Sequence, residues 1–71
     1  MQALQTIYLK SGKSFQKFTD INNAGDISDV IIASADLLEK GNEILVLRRT
    51  NLTSPVVIPV RNIDYIEVEK R

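Results

Sequence analysis

Arg48, Arg49 and Arg61, with Lys10 and Lys13, are the residues of this 71-residue chain best suited to hold a ligand. A guanidinium is planar and offers paired N–H donors, the geometry that grips two phosphate oxygens at once. Lys10 and Lys13 flank the turn signal Ser11-Gly12. Tyr8 and Tyr65, with Phe18, supply faces on which a nucleobase can stack. These residue types point to an anionic ligand: a nucleotide, a signalling nucleotide or single-stranded nucleic acid. Spacing limits the reading. Arg48 and Arg49 are adjacent, so on a strand they point to opposite faces and only one serves a given site. A hairpin over 44–49 and 56–61 puts them at its loop end and Arg61 at the other end. Lys10 and Lys13 can join either end. The same cations also suit plain protection of strand edges.

Other chemistries fail on residue type or spacing. The chain has no His and no Cys, which removes Ser-His-Asp and Cys-His systems and leaves zinc only carboxylates. Gly12-Lys13-Ser14 looks like the end of a phosphate loop, but the Gly required five residues earlier is Ile7, and a strand follows where a helix is needed. Asp20 to Gly25 looks like the start of a calcium loop, but its fifth position is Ala24 and its twelfth Ile31. Asn51-Leu52-Thr53 is a glycosylation sequon that reads better as turn chemistry. Asp64, Glu67 and Glu69 are candidate acid–base carboxylates, yet Glu67 and Glu69 fall on the wet face of a strand. The sequence therefore predicts no enzyme, no metal and no cofactor.

The elements that would position these residues follow from periodicity. The stretch from Glu43 to Val68 holds close to half of the long apolar side chains in little more than a third of the chain. Ile44 to Leu47 is a short apolar run of strand type. Residues 51–55 (NLTSP) form a turn cluster. Val56, Ile58 and Val60 then share one strand face. Pro59 argues for an edge or a bulge, because it cannot donate to a ladder. Ile66 and Val68 face one way, and Tyr65, Glu67 and Glu69 the other. Earlier, residues 3–10 read as a strand with Ala3, Gln5, Ile7 and Leu9 on one face. Residues 14–19 read as its hairpin partner, with Phe15 inward and a bulge or early end at Phe18.

Residues 27–40 are the ambiguous segment. As a helix they carry Ile27, Val30, Ile31, Ser34, Ala35 and Leu38 in one stripe. Asp26 or Ser28 can cap the start, and Lys40-Gly41-Asn42 is a stop signal. As strands, Val30-Ile31-Ile32 is a β-branched run, and 37–47 becomes a hairpin. Agreement of caps and stripe favours the helix. The predicted fold is α+β: a small antiparallel sheet of about five strands with one helix packed on it, in the order strand-strand-helix-strand-strand-strand. The alternative is an all-β small barrel of Sm-like or SH3-like type.

Size and charge bound the partners. A single small domain of this length buries only about 60% of its unfolded surface, and its core alone supplies about 3–5 kcal/mol. Without disulfides, self-association is the remaining common stabiliser, so a homo-oligomer is expected. No apolar run reaches the roughly 18 residues of a membrane span. The N-terminus lacks a signal peptide's pattern, so the expected location is cytoplasmic. Net charge is zero but segregated: +3 over residues 1–19, −5 over 20–43, +3 over 44–63 and −1 over 64–71. Such a dipolar surface can bind an anion on one side or stack subunits head to tail.

The runs IYLKSGKSF and VVIPVRNIDYIEV resemble the two signature segments of Sm-like small barrels. Val60-Arg61-Asn62 lacks the Gly that family carries beside its basic residue. The resemblance implies a ring-forming, RNA- or nucleotide-binding barrel. In size the chain also resembles the compact modules of phages and mobile elements. That suggests a second function: a protein-interaction or inhibitor module acting through a sheet edge or the acidic 20–43 segment.

Overall fold

The computed structural model describes residues 1–47 and 56–71. Strand β1 (Gln2–Leu9) is central. It pairs antiparallel with β2 (Ser14–Asp20) on one side and with β5 (Ile63–Lys70) on the other. A 3-10 turn (Ala24–Asp26) leads into helix α1 (Ile27–Leu38). A separate two-stranded sheet pairs β3 (Ile44–Leu47) with β4 (Val56–Pro59), and a second 3-10 turn (Val60–Asn62) leads back to β5. The chain is thus α+β in the expected order, with its five strands divided between a β2-β1-β5 sheet and a β3-β4 hairpin. The helix decides against the all-β barrel.

Period two explains the layers. Ile7 of β1 stands beside Phe15 of β2 and Ile66 of β5 in register, so three strands present apolar side chains on the same face. That face, with Leu37 of α1, packs on a core of Ile7, Leu47, Ile58, Val60 and Ile63. Val56, Ile58 and Val60 face inward together, as their alternation predicts. Pro59 sits opposite Ile44 in a strand with a single neighbour among the described residues, so its missing donor disturbs no second ladder there.

Four details differ from the sequence reading. First, β2 continues through Phe18 to Asp20 in unbroken register; the bulge lies instead between β1 and β5, where Tyr8 pairs with Tyr65 but Leu9 with Ile63. The extra residue is Asp64. Skipping it keeps Asp64 exposed and turns Ile63 into the core. Second, the inward row of α1 is Ile27, Val30, Ser34 and Leu37, whereas Ile31, Ala35 and Leu38 are exposed. Gln5 explains the rotation: its Nε2 donates to Ser34 Oγ at 2.7 Å, and Ser34 Oγ donates to Val30 O at 2.9 Å. Third, Asp26 occupies the N-cap position but caps nothing; its carboxylate accepts from the N–H groups of Asn22 and Asn23 instead. Fourth, α1 stops at Leu38 rather than Lys40, and Gly41 does not adopt a left-handed conformation. The turn 51–55 lies outside the described residues.

Candidate functional site

The β1–β2 connection is built by backbone geometry. Gly12 N–H donates to Leu9 O at 2.9 Å, and Leu9 N–H to Lys13 O at 2.8 Å. Gly12 has φ of 93°, a region that side-chain-bearing residues avoid. A turn this tight holds Lys10 and Lys13 close together at the end of the sheet. The second turn at this end comes from β4. Residues Val60 to Asn62 make one 3-10 turn, and Arg61 is exposed on it. Lys10 N–H donates to Asn62 O at 2.9 Å, which ties the two turns together. Three cations from distant parts of the chain thus belong to one end of the β2-β1-β5 sheet.

All three cations are exposed, and none forms an ion pair among the described residues, where the single ion pair is Arg71 with Glu69 at 3.4 Å. Asp64, on the bulge, is the nearest carboxylate along the chain. Arg48 and Arg49 lie outside the described residues, so the site as built consists of Lys10, Lys13 and Arg61.

The two tyrosines lie next to this end. Tyr8 and Tyr65 are cross-strand partners, and their rings stack with centroids 4.5 Å apart and planes 20° apart. Near-parallel stacking of this kind is an arrangement that aromatic pairs favour. The expectation of two separate stacking faces therefore changes: each ring has one face taken by the other. Tyr8 Oη also donates to Glu67 Oε2 at 3.3 Å. Partial loss of hydration, followed by the charge and hydrogen bond of Glu67, pushes the Tyr8 phenol above its ordinary pKa of 10.0. Tyr65 remains about half exposed, at 46%, so the stack keeps an open surface. Phe18 lies on the same outer face of the sheet and is also half exposed, but at the far end of β2.

Sequence reasoning missed a second feature. A cavity of about 380 Å³ opens between α1, the inner face of β1 and β2, and the β3-β4 hairpin, and Gln5, Lys17, Thr19 and Asp29 supply its polar lining. These residues come from three segments with no local motif, so only the fold brings them together. Among the described residues, no group of three or more Asp, Glu, His or Cys is placed to hold a metal ion, and no helix is long and apolar enough to cross a membrane. Compared with known proteins, the chain matches no family model, no curated protein and no solved structure.

Proposed function

We propose that this protein is a non-enzymatic, cytoplasmic binding module that takes an anionic ligand at the basic end of its three-stranded sheet. The ligand class is a nucleotide, a signalling nucleotide or single-stranded nucleic acid. The observation that carries this reading is the Lys10–Asn62 backbone bond, which joins the Lys10-Lys13 turn to the Arg61 turn. Clustered cations without intramolecular partners attract phosphate. The open face of the Tyr65–Tyr8 stack accepts a base beside it. The two segments that carry the Sm-like resemblance are also the two that meet here.

Self-association belongs to the same proposal. Ile44, Val46 and Val57 are exposed on the outer surface of the β3-β4 hairpin, where Val46 and Val57 are paired. A second subunit covering them would shield apolar surface and bring two basic ends into one assembly. Light scattering after size exclusion, with absorbance near 260 and 280 nm, tests both parts. The chain has two Tyr and no Trp, so a co-purified nucleotide stands out. A multimer with excess absorbance near 260 nm is the expected result. A monomer that takes up no added nucleotide or oligonucleotide contradicts it.

A second reading rests on the outer face of α1. Ile31 and Ile32 are exposed there, as are Asp36 and Glu39. An apolar surface edged by carboxylates suits a partner with an apolar groove and basic rim, the action of a phage-type interaction or inhibitor module. Changing Asp36 and Glu39 to Lys abolishes partner capture if this face is the contact. Unchanged capture removes this reading.

A further inference from the structure

We infer that the cavity beneath α1 is a second binding site, separate from the basic end, for a small zwitterion with an apolar body: an apolar amino acid or an apolar dipeptide. Its walls are apolar. Ile7 and Ile66 come from the sheet, Val30 and Leu37 from the helix, and Leu45 and Leu47 from the hairpin. A volume of about 380 Å³ lies within the range of small-molecule pockets.

The polar groups are few and of complementary kinds. Lys17 lines the cavity from β2 and Asp29 from the first turn of α1. They carry opposite charges on two different elements, yet they do not pair with each other, nor with any other described residue. Lys17 can receive a carboxylate and Asp29 an ammonium. Gln5 adds a directed acceptor. Ser34 Oγ gives its one hydrogen to Val30 O, so toward Gln5 it must accept, and the Gln5 amide is fixed with Nε2 toward the helix. Its Oε1 is thereby turned away from Ser34 and is not a buried unpaired atom, so it remains open to an ammonium donor. Thr19 supplies a hydroxyl on the Lys17 side, in the same strand and on the same face. A ligand with one charge sign would leave one wall unanswered; a zwitterion satisfies both.

The test is calorimetric titration of the full chain with leucine, phenylalanine and the dipeptide Leu-Leu. N-acetyl-leucine and leucine amide serve as singly charged controls. The zwitterions should bind, and each control should bind about tenfold more weakly or worse, because a charged hydrogen-bonding group is then left unmatched. Preference for amino acid or dipeptide identifies the source. Lys17→Met should erase the preference for a free carboxylate, and Asp29→Asn that for a free ammonium, with circular dichroism unchanged. Ala33→Trp should fill the cavity and abolish binding. If that variant does not fold, the two exposed charge variants still decide the matter. Equal binding of zwitterions and controls overturns the inference, as does no binding of any zwitterion.

Discussion

At the scale of single residues, Gly12 carries the geometry on which the basic end depends. A Cβ built there meets nothing within 4 Å, so the cost of a side chain is purely that of φ at 93°. Gly12→Ala is expected to destabilise the fold by about 1–2 kcal/mol, a shift of roughly 4–8 °C in Tm for each kcal/mol in a domain this small. Gly41 has equal room but no left-handed φ. Gly41→Ala should therefore be neutral or stabilise by up to about 1 kcal/mol. Thermal unfolding of both variants separates the two situations; equal losses would contradict the turn geometry. Tyr8 gives a second residue-level prediction. Its folded pKa lies above the unfolded value of 10.0, so the native state holds the phenolic proton more tightly. The stability linked to this group is complete below pH 10 and declines as pH rises through the folded pKa. Absorbance titration near 295 nm should show Tyr8 ionising above its ordinary value. Glu67→Gln should bring that transition down, and an unmoved titration would show that Glu67 is not its partner.

At the scale of elements, the helix shows what a pattern of apolar residues leaves open. Existence, start and approximate length of α1 follow from its stripe and flanks. Its rotation does not, because Ile27, Val30, Ile31, Leu37 and Leu38 span an arc of about 120°, and only the part of it that holds Ile27, Val30 and Leu37 turns inward. What fixes the rotation is the Gln5–Ser34 hydrogen bond, between residues 29 positions apart. Alternation in β1 likewise does not mark Leu4 as core. It lies on the outer sheet face yet is 2% exposed, flanked in register by Phe18 and Glu69. The bulge at Asp64 was equally invisible, since it resolves a conflict between alternation in β5 and the turn before it. Leu4→Ala and Ile58→Ala should each cost about 2–5 kcal/mol, whereas Ile32→Lys should stay within about 0.5 kcal/mol for the isolated chain. Urea unfolding measures all three. A severe loss from Ile32→Lys would mean that this face is covered rather than open.

At the scale of the whole molecule, the return of β5 to the edge of β1 shapes both candidate sites. It carries Arg61 from the β3-β4 hairpin to the Lys10-Lys13 turn, a meeting that no local motif announces. The order of elements along the chain was readable from alternation and turn residues; which strands neighbour one another, and hence which cations meet, was not. If the proposed self-association uses the hairpin's exposed Val46 and Val57, then Val46→Lys with Val57→Lys yields a monomer by light scattering while the fold persists. An unchanged oligomer would place the contact elsewhere. The most direct measurement is the salt dependence of single-stranded oligonucleotide binding, by anisotropy, for the native chain and for a variant with Lys10, Lys13 and Arg61 all changed to Ala. Three phosphate contacts per subunit predict that log affinity falls with log salt at a slope of about −2, at about 0.7 per contact, and that the variant is weak with an almost flat slope. Binding that ignores salt, or that survives the triple change, would contradict the assignment of the basic end as the ligand site.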